Sequence, residues 1–83
     1  MNQEETSLFH VSDFKDELVS RTLNEVYEAL QERGYHPENQ IIGYLISGDP
    51  GYISSHKNAR AKMTSLDRSD IIATLLRGYL QNK

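Results

Sequence analysis

The sequence contains no cysteine, only two prolines and no long apolar run. The lack of cysteine excludes disulfides and thiolate metal sites, and it suits the chain to a reducing compartment. No stretch approaches the roughly 18 consecutive apolar residues of a membrane-spanning helix. The opening residues, MNQEETSLFH, are acidic and polar where a signal peptide would be basic and then apolar. We therefore expect a cytoplasmic protein that does not insert into a membrane.

Positive charge is also scarce. The formal net charge of -3 argues against a protein that coats nucleic acid, because such proteins need a basic surface. The charge is unevenly distributed: residues 1–17 carry five acidic residues against one lysine, whereas residues 54–68 carry four basic residues against one aspartate. This asymmetry is compatible with an ordinary mixed surface. Alternatively, the basic segment is a docking surface for an acidic or phosphorylated partner.

Motifs that carry chemistry are absent as well. Gly43 and Gly48 have the spacing of a phosphate-binding loop, but Asp49 and Pro50 follow where that loop needs Lys and Ser or Thr. The two glycines are better explained by close packing and helix termination. No serine, histidine and acid fall in a nucleophile setting, and no histidine has a second metal ligand four residues away. The histidines are His10, His36 and His56. We expect no catalytic residue, no metal and no cofactor, and hence no enzyme.

Hydrophobic periodicity predicts a long first helix after a flexible tail. Residues 1–12 have only scattered apolar side chains and are interpreted as the tail, and residues 13–83 as a helical dimerisation domain. From about Asp13, apolar residues recur every three or four positions along one stripe. Ser12 or Asp13 is the expected N-terminal cap, and Gly34 is expected to end the helix in a left-handed conformation. The stripe consists of Phe14, Leu18, Val19, Leu23, Val26, Tyr27 and Leu30.

The prolines predict the next two helix starts. Pro37 is expected at the first position of a second helix, with His36 as a weak cap and Gly48 as the residue that ends it. Asp49 and Pro50 repeat this logic and predict one short helical turn. Because the second helix is apolar on most sides, we predict that it is the central and most buried element.

The remaining sequence predicts one more helix and completes an all-α fold. The secondary structure of Ser54 to Ser65 stays open, whereas residues 67–80 carry apolar pairs spaced four apart and predict the last helix. The fold class is thus a small bundle of three main helices plus short helical turns. A chain of 83 residues is near the size at which a single core is only marginally sufficient. We expect a homodimer that buries an open apolar face, with a self-sufficient monomeric bundle as the alternative.

The motif NQI-x-GYL-x-SGDP and its surroundings resemble a known family, the IreB family of small regulatory phosphoproteins of Gram-positive bacteria, to which the ReoM proteins also belong. The resemblance covers nearly the whole chain. It is carried by Tyr27–Leu30, Gly34–Tyr35, Pro37, Asn39–Leu45, Ser47–Pro50, Tyr52–Ile53, His56, Lys57, Ala59, Arg60, Leu66, Arg68, Asp70–Ile72, Leu75 and Tyr79–Leu80.

The resemblance implies a helical homodimer whose tail threonine is phosphorylated by a membrane PASTA-domain Ser/Thr kinase and reset by a partner phosphatase. Thr6 is at the matching position, a few residues before Phe9, and Ser7 is the alternative. The family adjusts peptidoglycan synthesis and tolerance of cell-wall antibiotics. In the ReoM branch the unphosphorylated form promotes degradation of MurA, the first committed peptidoglycan enzyme, by the Clp protease, and phosphorylation relieves it.

The basic segment is the expected partner-binding surface. Its contact residues are predicted to be Lys57, Arg60, Lys62 and Arg68. A phosphate on Thr6 would act by masking this segment or by repelling an acidic partner. The sequence departs from the family where His36 replaces the usual Asn and where Ser55, Thr64 and Ser65 replace basic residues, so the basic surface is thinner. The alternative function is a small helical nucleic-acid-binding regulator that uses residues 54–68 and the last helix.

Overall fold

The computed structural model describes residues 11–34 and 36–82. The described residues form helices and short helical turns, and none of them lies in a β-strand, which confirms the all-α prediction. The described residues contain four α-helices, α1 (Val11–Glu32), α2 (Pro37–Ser47), α3 (Ala59–Thr64) and α4 (Arg68–Gln81). Two 3-10 turns, Pro50–Tyr52 and His56–Asn58, lie between α2 and α3.

Helix α1 starts earlier than the sequence suggested. Its described part begins at Val11, so Ser12 and Asp13 lie inside the helix and the prediction that one of them caps it is wrong. Neither residue breaks a helix, and an acid in the first turn interacts favourably with the helix dipole. Of the predicted tail, residues 1–12, Val11 and Ser12 are helical instead. Residues 1–10 lie outside the described part of the chain. At the other end, Gly34 has a φ of +74°, the left-handed conformation that was predicted.

The predicted starts and stops around α2 are confirmed. Pro37 begins the helix after His36, whose side chain makes no capping hydrogen bond, as expected of a weak cap. Gly48 ends it with a φ of +78°, and its N–H donates to the Tyr44 carbonyl at 2.7 Å. The Asp49 side chain then accepts from the Gly51 N–H at 2.8 Å and caps the first 3-10 turn. Single residues, Pro37 at the start and Gly48 at the end, therefore predict both ends of this helix.

The core lies along one face of α1. This helix contributes four buried residues, and α2, α3 and α4 all pack against it. Helix α3 runs antiparallel to α1. Two ion pairs show this direction, because Lys57, just before α3, contacts Glu32 near the end of α1, whereas Lys62, within α3, contacts Glu25 one to two turns earlier. The buried hydrophobic residues are Val19, Val26, Ala29, Leu30, Tyr44, Ile53, Ala59, Met63 and Ile71.

Helix α2 is not the central, most buried element, and this prediction was wrong. Tyr44 is its only buried residue, whereas Ile42 is 52% exposed and Ile46 is 80% exposed. The reason is length. Helix α1 has 22 residues and can contact three other helices, while α2 has 11 and is covered on one side only. The apolar character of α2 therefore appears on the surface of the single chain.

The segment that the sequence left open, Ser54 to Ser65, contains the second 3-10 turn and α3. Lys57 and Asn58 have positive φ angles of 51° and 61°, the left-handed backbone conformation that residues other than Gly adopt rarely. This pair of residues turns the chain into α3. The predicted last helix is confirmed as α4, with Asp67 at its N-cap position.

Candidate functional site

Two of the four predicted partner-binding residues face carboxylates on α1. The Lys57 Nζ lies 2.8 Å from Glu32 Oε2, and the His56 Nε2 lies 3.0 Å from Glu32 Oε1. Hydrogen bonds from Lys57 and then from His56 lower the pKa of Glu32. Further along α1, the Lys62 Nζ lies 3.3 Å from Glu25 Oε1. The positive charges of both lysines are thus partly neutralised within the chain, although their side chains remain accessible to solvent.

The two predicted arginines bind backbone carbonyls instead. Arg60 Nε donates to the carbonyls of Pro50 at 3.2 Å and Ile53 at 2.9 Å, which ties the first 3-10 turn to α3. Arg68 Nη1 donates to the Leu45 carbonyl at 3.1 Å. Its guanidinium also lies so close to Gly48 that a Cβ there would fall 2.8 Å from Arg68 Cζ. In the described part of the chain neither arginine forms an ion pair with a carboxylate, so both keep an uncompensated charge at the surface.

The four predicted residues therefore have two kinds of partner within the chain. Lys57 and Lys62 lie opposite acids of α1, whereas Arg60 and Arg68 lie beside α2 and the turn that follows it. A partner carboxylate or phosphate can approach the arginines without displacing an internal acid. It would have to compete with Glu32 or Glu25 for the lysines.

A groove between three helices is a feature that sequence reasoning did not locate. Its floor is formed by α1 and its walls by α2 and α4, and it encloses about 370 Å³. The sequence signal was the row of apolar pairs in α4. Ile71 of the first pair is buried, whereas Ile72 and both members of the later pairs, Leu75–Leu76 and Tyr79–Leu80, are exposed. The groove is lined mainly by apolar side chains, namely Leu23, Tyr27, Ile41, Ile42, Leu45 and Leu75.

The exposed side of α4 extends this apolar surface. At about 100° per residue, Ile72, Leu75, Leu76 and Tyr79 lie within about one third of the helix circumference. All four are between 47% and 68% exposed. Monomeric proteins rarely expose contiguous apolar patches of this kind, so the groove and the α4 stripe together form a candidate association surface.

A polar cluster joins the beginning of α1 to α4. Asp16 accepts hydrogen bonds from Thr74 Oγ1 at 2.6 Å and from Arg77 Nε at 3.0 Å and Nη2 at 2.6 Å. The bonds from Arg77 and then from Thr74 lower the pKa of Asp16 to about 2. Sequence reasoning missed this cluster because its members are 58 and 61 residues apart and follow no local pattern.

The predicted phosphorylation sites, Thr6 and Ser7, lie outside the described residues. Within residues 11–34 and 36–82, no three His, Asp or Glu side chains are grouped so that they could hold a metal ion. No helix in the same ranges is long and apolar enough to cross a bilayer.

Comparison with known families gives a match over almost the whole chain. The family model described as IreB regulatory phosphoprotein matches residues 4–81, which include the acidic N-terminal segment with Thr6, the SGDP turn and all four helices. A match of this extent confirms the resemblance carried by the motif of α2 and by the basic residues after it. The chain therefore belongs to the IreB family of regulatory phosphoproteins.

Proposed function

We propose that this protein is a non-enzymatic adaptor that is switched by phosphorylation of Thr6, with Ser7 as the alternative site. The observation that carries the proposal is the family match, which describes a phosphoprotein and begins at residue 4, just before Thr6. A phosphate adds about -1.5 to -2 charges, which is large beside a formal net charge of -3. The protein acts in the cytoplasm, as its lack of cysteine suggests.

The enzymes and the pathway follow from the family resemblance. A PASTA-type Ser/Thr kinase phosphorylates the protein and its partner phosphatase resets it. The unphosphorylated form promotes degradation of MurA by the Clp protease, and so lowers peptidoglycan synthesis and antibiotic tolerance. Phosphorylation relieves this effect.

The contacts of the basic residues support an order of importance for partner binding. Arg60 and Arg68 are bound to carbonyls and keep their charge available, so we place the first contacts with an acidic partner there. Lys57 and Lys62 contribute less, because their ion pairs with Glu32 and Glu25 must open first. Replacing either arginine should weaken partner binding more than replacing either lysine.

Chain length limits how the phosphate can act. Thr6 is five residues before Val11, and five residues span at most about 18 Å whatever their conformation. Glu32, which holds Lys57, is 21 residues after Val11, or about 31 Å along the helix. A phosphate on Thr6 therefore falls short of Lys57 of the same chain. If a phosphate masks the part of the basic segment around Lys57, that phosphate must belong to a second copy of the chain. Otherwise the phosphate acts by repelling an acidic partner directly.

The groove supports a homodimer as the working form. Three helices leave an apolar channel open on the single chain, and the adjoining stripe of α4 is a helix face of suitable shape and chemistry to occupy the same channel of a second copy. Such a dimer would also supply the second copy that masking of the far end of the basic segment requires. Dimerisation and the switch are thus linked in this proposal.

The alternative function, a helical nucleic-acid-binding regulator, is less favoured. Two of the four basic residues are paired with acids of α1, which thins the positive surface that a nucleic acid needs. A titration with duplex DNA at two salt concentrations separates the two functions, because binding that weakens steeply with salt would support the alternative.

The proposed switch is tested by incubating the full chain with the kinase and ATP and locating the phosphate by mass spectrometry. We expect modification of Thr6, its loss in Thr6→Ala, and its persistence in Ser7→Ala. A pulldown with the phosphorylated and unphosphorylated forms should then retain MurA only with the unphosphorylated form, and Thr6→Ala should retain it under both conditions. A chain that stays unmodified with an active kinase would refute the proposal at its first step.

A further inference from the structure

A second apolar cleft lies where α1 begins and where α3 meets α4. Its apolar lining is formed mainly by Phe14, Leu18 and Leu66, and it encloses about 360 Å³. Phe14 is 62% exposed and Leu18 is 38% exposed, so the described residues cover these two apolar side chains only in part. Volumes of this size are typical of sites that accept one or two large side chains or a small ligand.

This cleft is separate from the groove between α1, α2 and α4. The two cavities share no lining residue, because the cleft uses Phe14 and Leu18 of α1 whereas the groove uses Leu23 and Tyr27. A second copy seated in the groove therefore does not by itself cover the cleft.

We propose that the cleft is occupied by Leu8 and Phe9 of the same chain. These are two adjacent large apolar residues in a segment that is otherwise polar and acidic. Phe9 is two residues before Val11 and can lie up to about 7 Å from it, while Phe14 is about 4.5 Å and Leu18 about 10 Å beyond Val11 along the helix. With the length of its own ring added, Phe9 reaches both side chains.

The charges around the cleft make this docking sensitive to a phosphate. The rim carries Lys15, Asp67 and Asp70, and Lys15 is already 3.6 Å from Asp70. A phosphate on Thr6, three residues before Phe9, would therefore meet a rim whose net charge is negative. Phosphorylation should release the segment and expose Leu8 and Phe9 for a partner. This consequence, unlike the docking itself, rests on the proposed phosphorylation of Thr6.

Nuclear Overhauser contacts in the full, unphosphorylated chain test the docking. Contacts between the Phe9 ring and the methyl groups of Leu18 and Leu66 are expected. Phe9→Ser should remove them and shift the Leu18 and Leu66 methyl signals, while the signals of Ile42 and Leu75 in the groove stay in place. Absence of these contacts, together with unchanged cleft signals in Phe9→Ser, would overturn the proposal.

Two further arms identify the occupant and the effect of phosphate. In a mixture of isotope-labelled and unlabelled chains, contacts found only between different chains would overturn docking within one chain in favour of a second copy. In chains whose phosphorylation at Thr6 has been verified by mass spectrometry, the docked population should fall about two- to fourfold. If the docked population is the same with and without the phosphate, the proposed docking is supported and its coupling to phosphorylation is overturned. If Thr6 is never modified, the proposed function fails while the docking result is unaffected.

Discussion

The contact between α3 and α1 is closely packed in a single chain, whereas the side formed by α2 and α4 exposes most of its large apolar residues. At the contact, Ala59 and Met63 are fully buried against α1, and Lys57 and Lys62 pair with its acids. On the side of α2 and α4, Ile46 and Tyr79 are 80% and 68% exposed. Folding thus buries the apolar residues of the contact, and the side of α2 and α4 retains apolar surface that association can bury.

The largest expected difference between the two sides concerns the core. Leu30 is fully buried, so Leu30→Ala should lower the free energy of unfolding by about 2–5 kcal/mol. Ile46→Ala removes a comparable side chain from the exposed face and should cost less than about 0.5 kcal/mol where the chain is monomeric. Urea denaturation at two protein concentrations measures both. Equal losses for the two variants at low concentration would contradict the contrast.

The second prediction tests the open face directly. Leu75→Glu places a charge in the groove and should raise the dimer dissociation constant by about 100-fold, because an unpaired charge in an apolar interface is costly. Phe14→Glu is the control, since Phe14 is also a large exposed apolar residue, 62% against 47% for Leu75, but belongs to the separate cleft. Sedimentation equilibrium of both variants gives the constants. A dimer weakened by Phe14→Glu and not by Leu75→Glu would place the interface elsewhere.

A smaller effect is expected where the basic segment meets α2. Gly48 has a positive φ, and an added Cβ would meet the Arg68 guanidinium, so Gly48→Ala should lower the free energy of unfolding by about 1 kcal/mol or more. Gly78 lies inside α4 with no atom within 4 Å of its added Cβ. Gly78→Ala should therefore raise the same free energy by about 0.5–1 kcal/mol. Thermal unfolding of the two variants measures both changes in the free energy of unfolding, which should have opposite signs. A Gly48→Ala variant more stable than the wild type would contradict the expected strain at Gly48.

The smallest predicted effect is a pH dependence at the join between α1 and α4. Hydrogen bonds from Arg77 and Thr74 lower the pKa of Asp16 from 3.8 to about 2. A carboxyl with a lowered pKa stabilises the fold above its unfolded pKa and loses that contribution as pH falls through the folded value. The difference in Tm between the wild type and Asp16→Asn should therefore be constant above about pH 4 and shrink towards pH 2.

The sequence predicted the end of α1 and both ends of α2 correctly because these boundaries depend on neighbouring residues, whereas the cap expected at Ser12 or Asp13 was wrong. Gly34, Pro37 and Gly48 each act on the backbone at their own position, so their effect is readable without the fold. The sequence also shows the four basic residues, whose role in partner binding stays a prediction, but it does not show the acids of α1 that pair with Lys57 and Lys62. Such contacts depend on how distant segments pack.

Two failures have the same origin. The burial of α2 was overestimated because an apolar helix can be covered by its own chain or by another copy, and hydrophobic periodicity does not distinguish the two. The bond of Asp16 to Arg77 was missed because 61 residues separate them. Neither error came from misjudging a residue. Both came from the arrangement of helices, which a single sequence does not contain.

The molar mass of the wild-type protein in solution tests the contrast between the two faces most directly. The single chain has a mass of 9.5 kDa. If the face of α2 and α4 is completed by a second copy, multi-angle light scattering at micromolar concentration should give twice that mass, and Leu75→Glu should return it to that of one chain. A wild-type protein that remains at 9.5 kDa throughout this range would contradict the account.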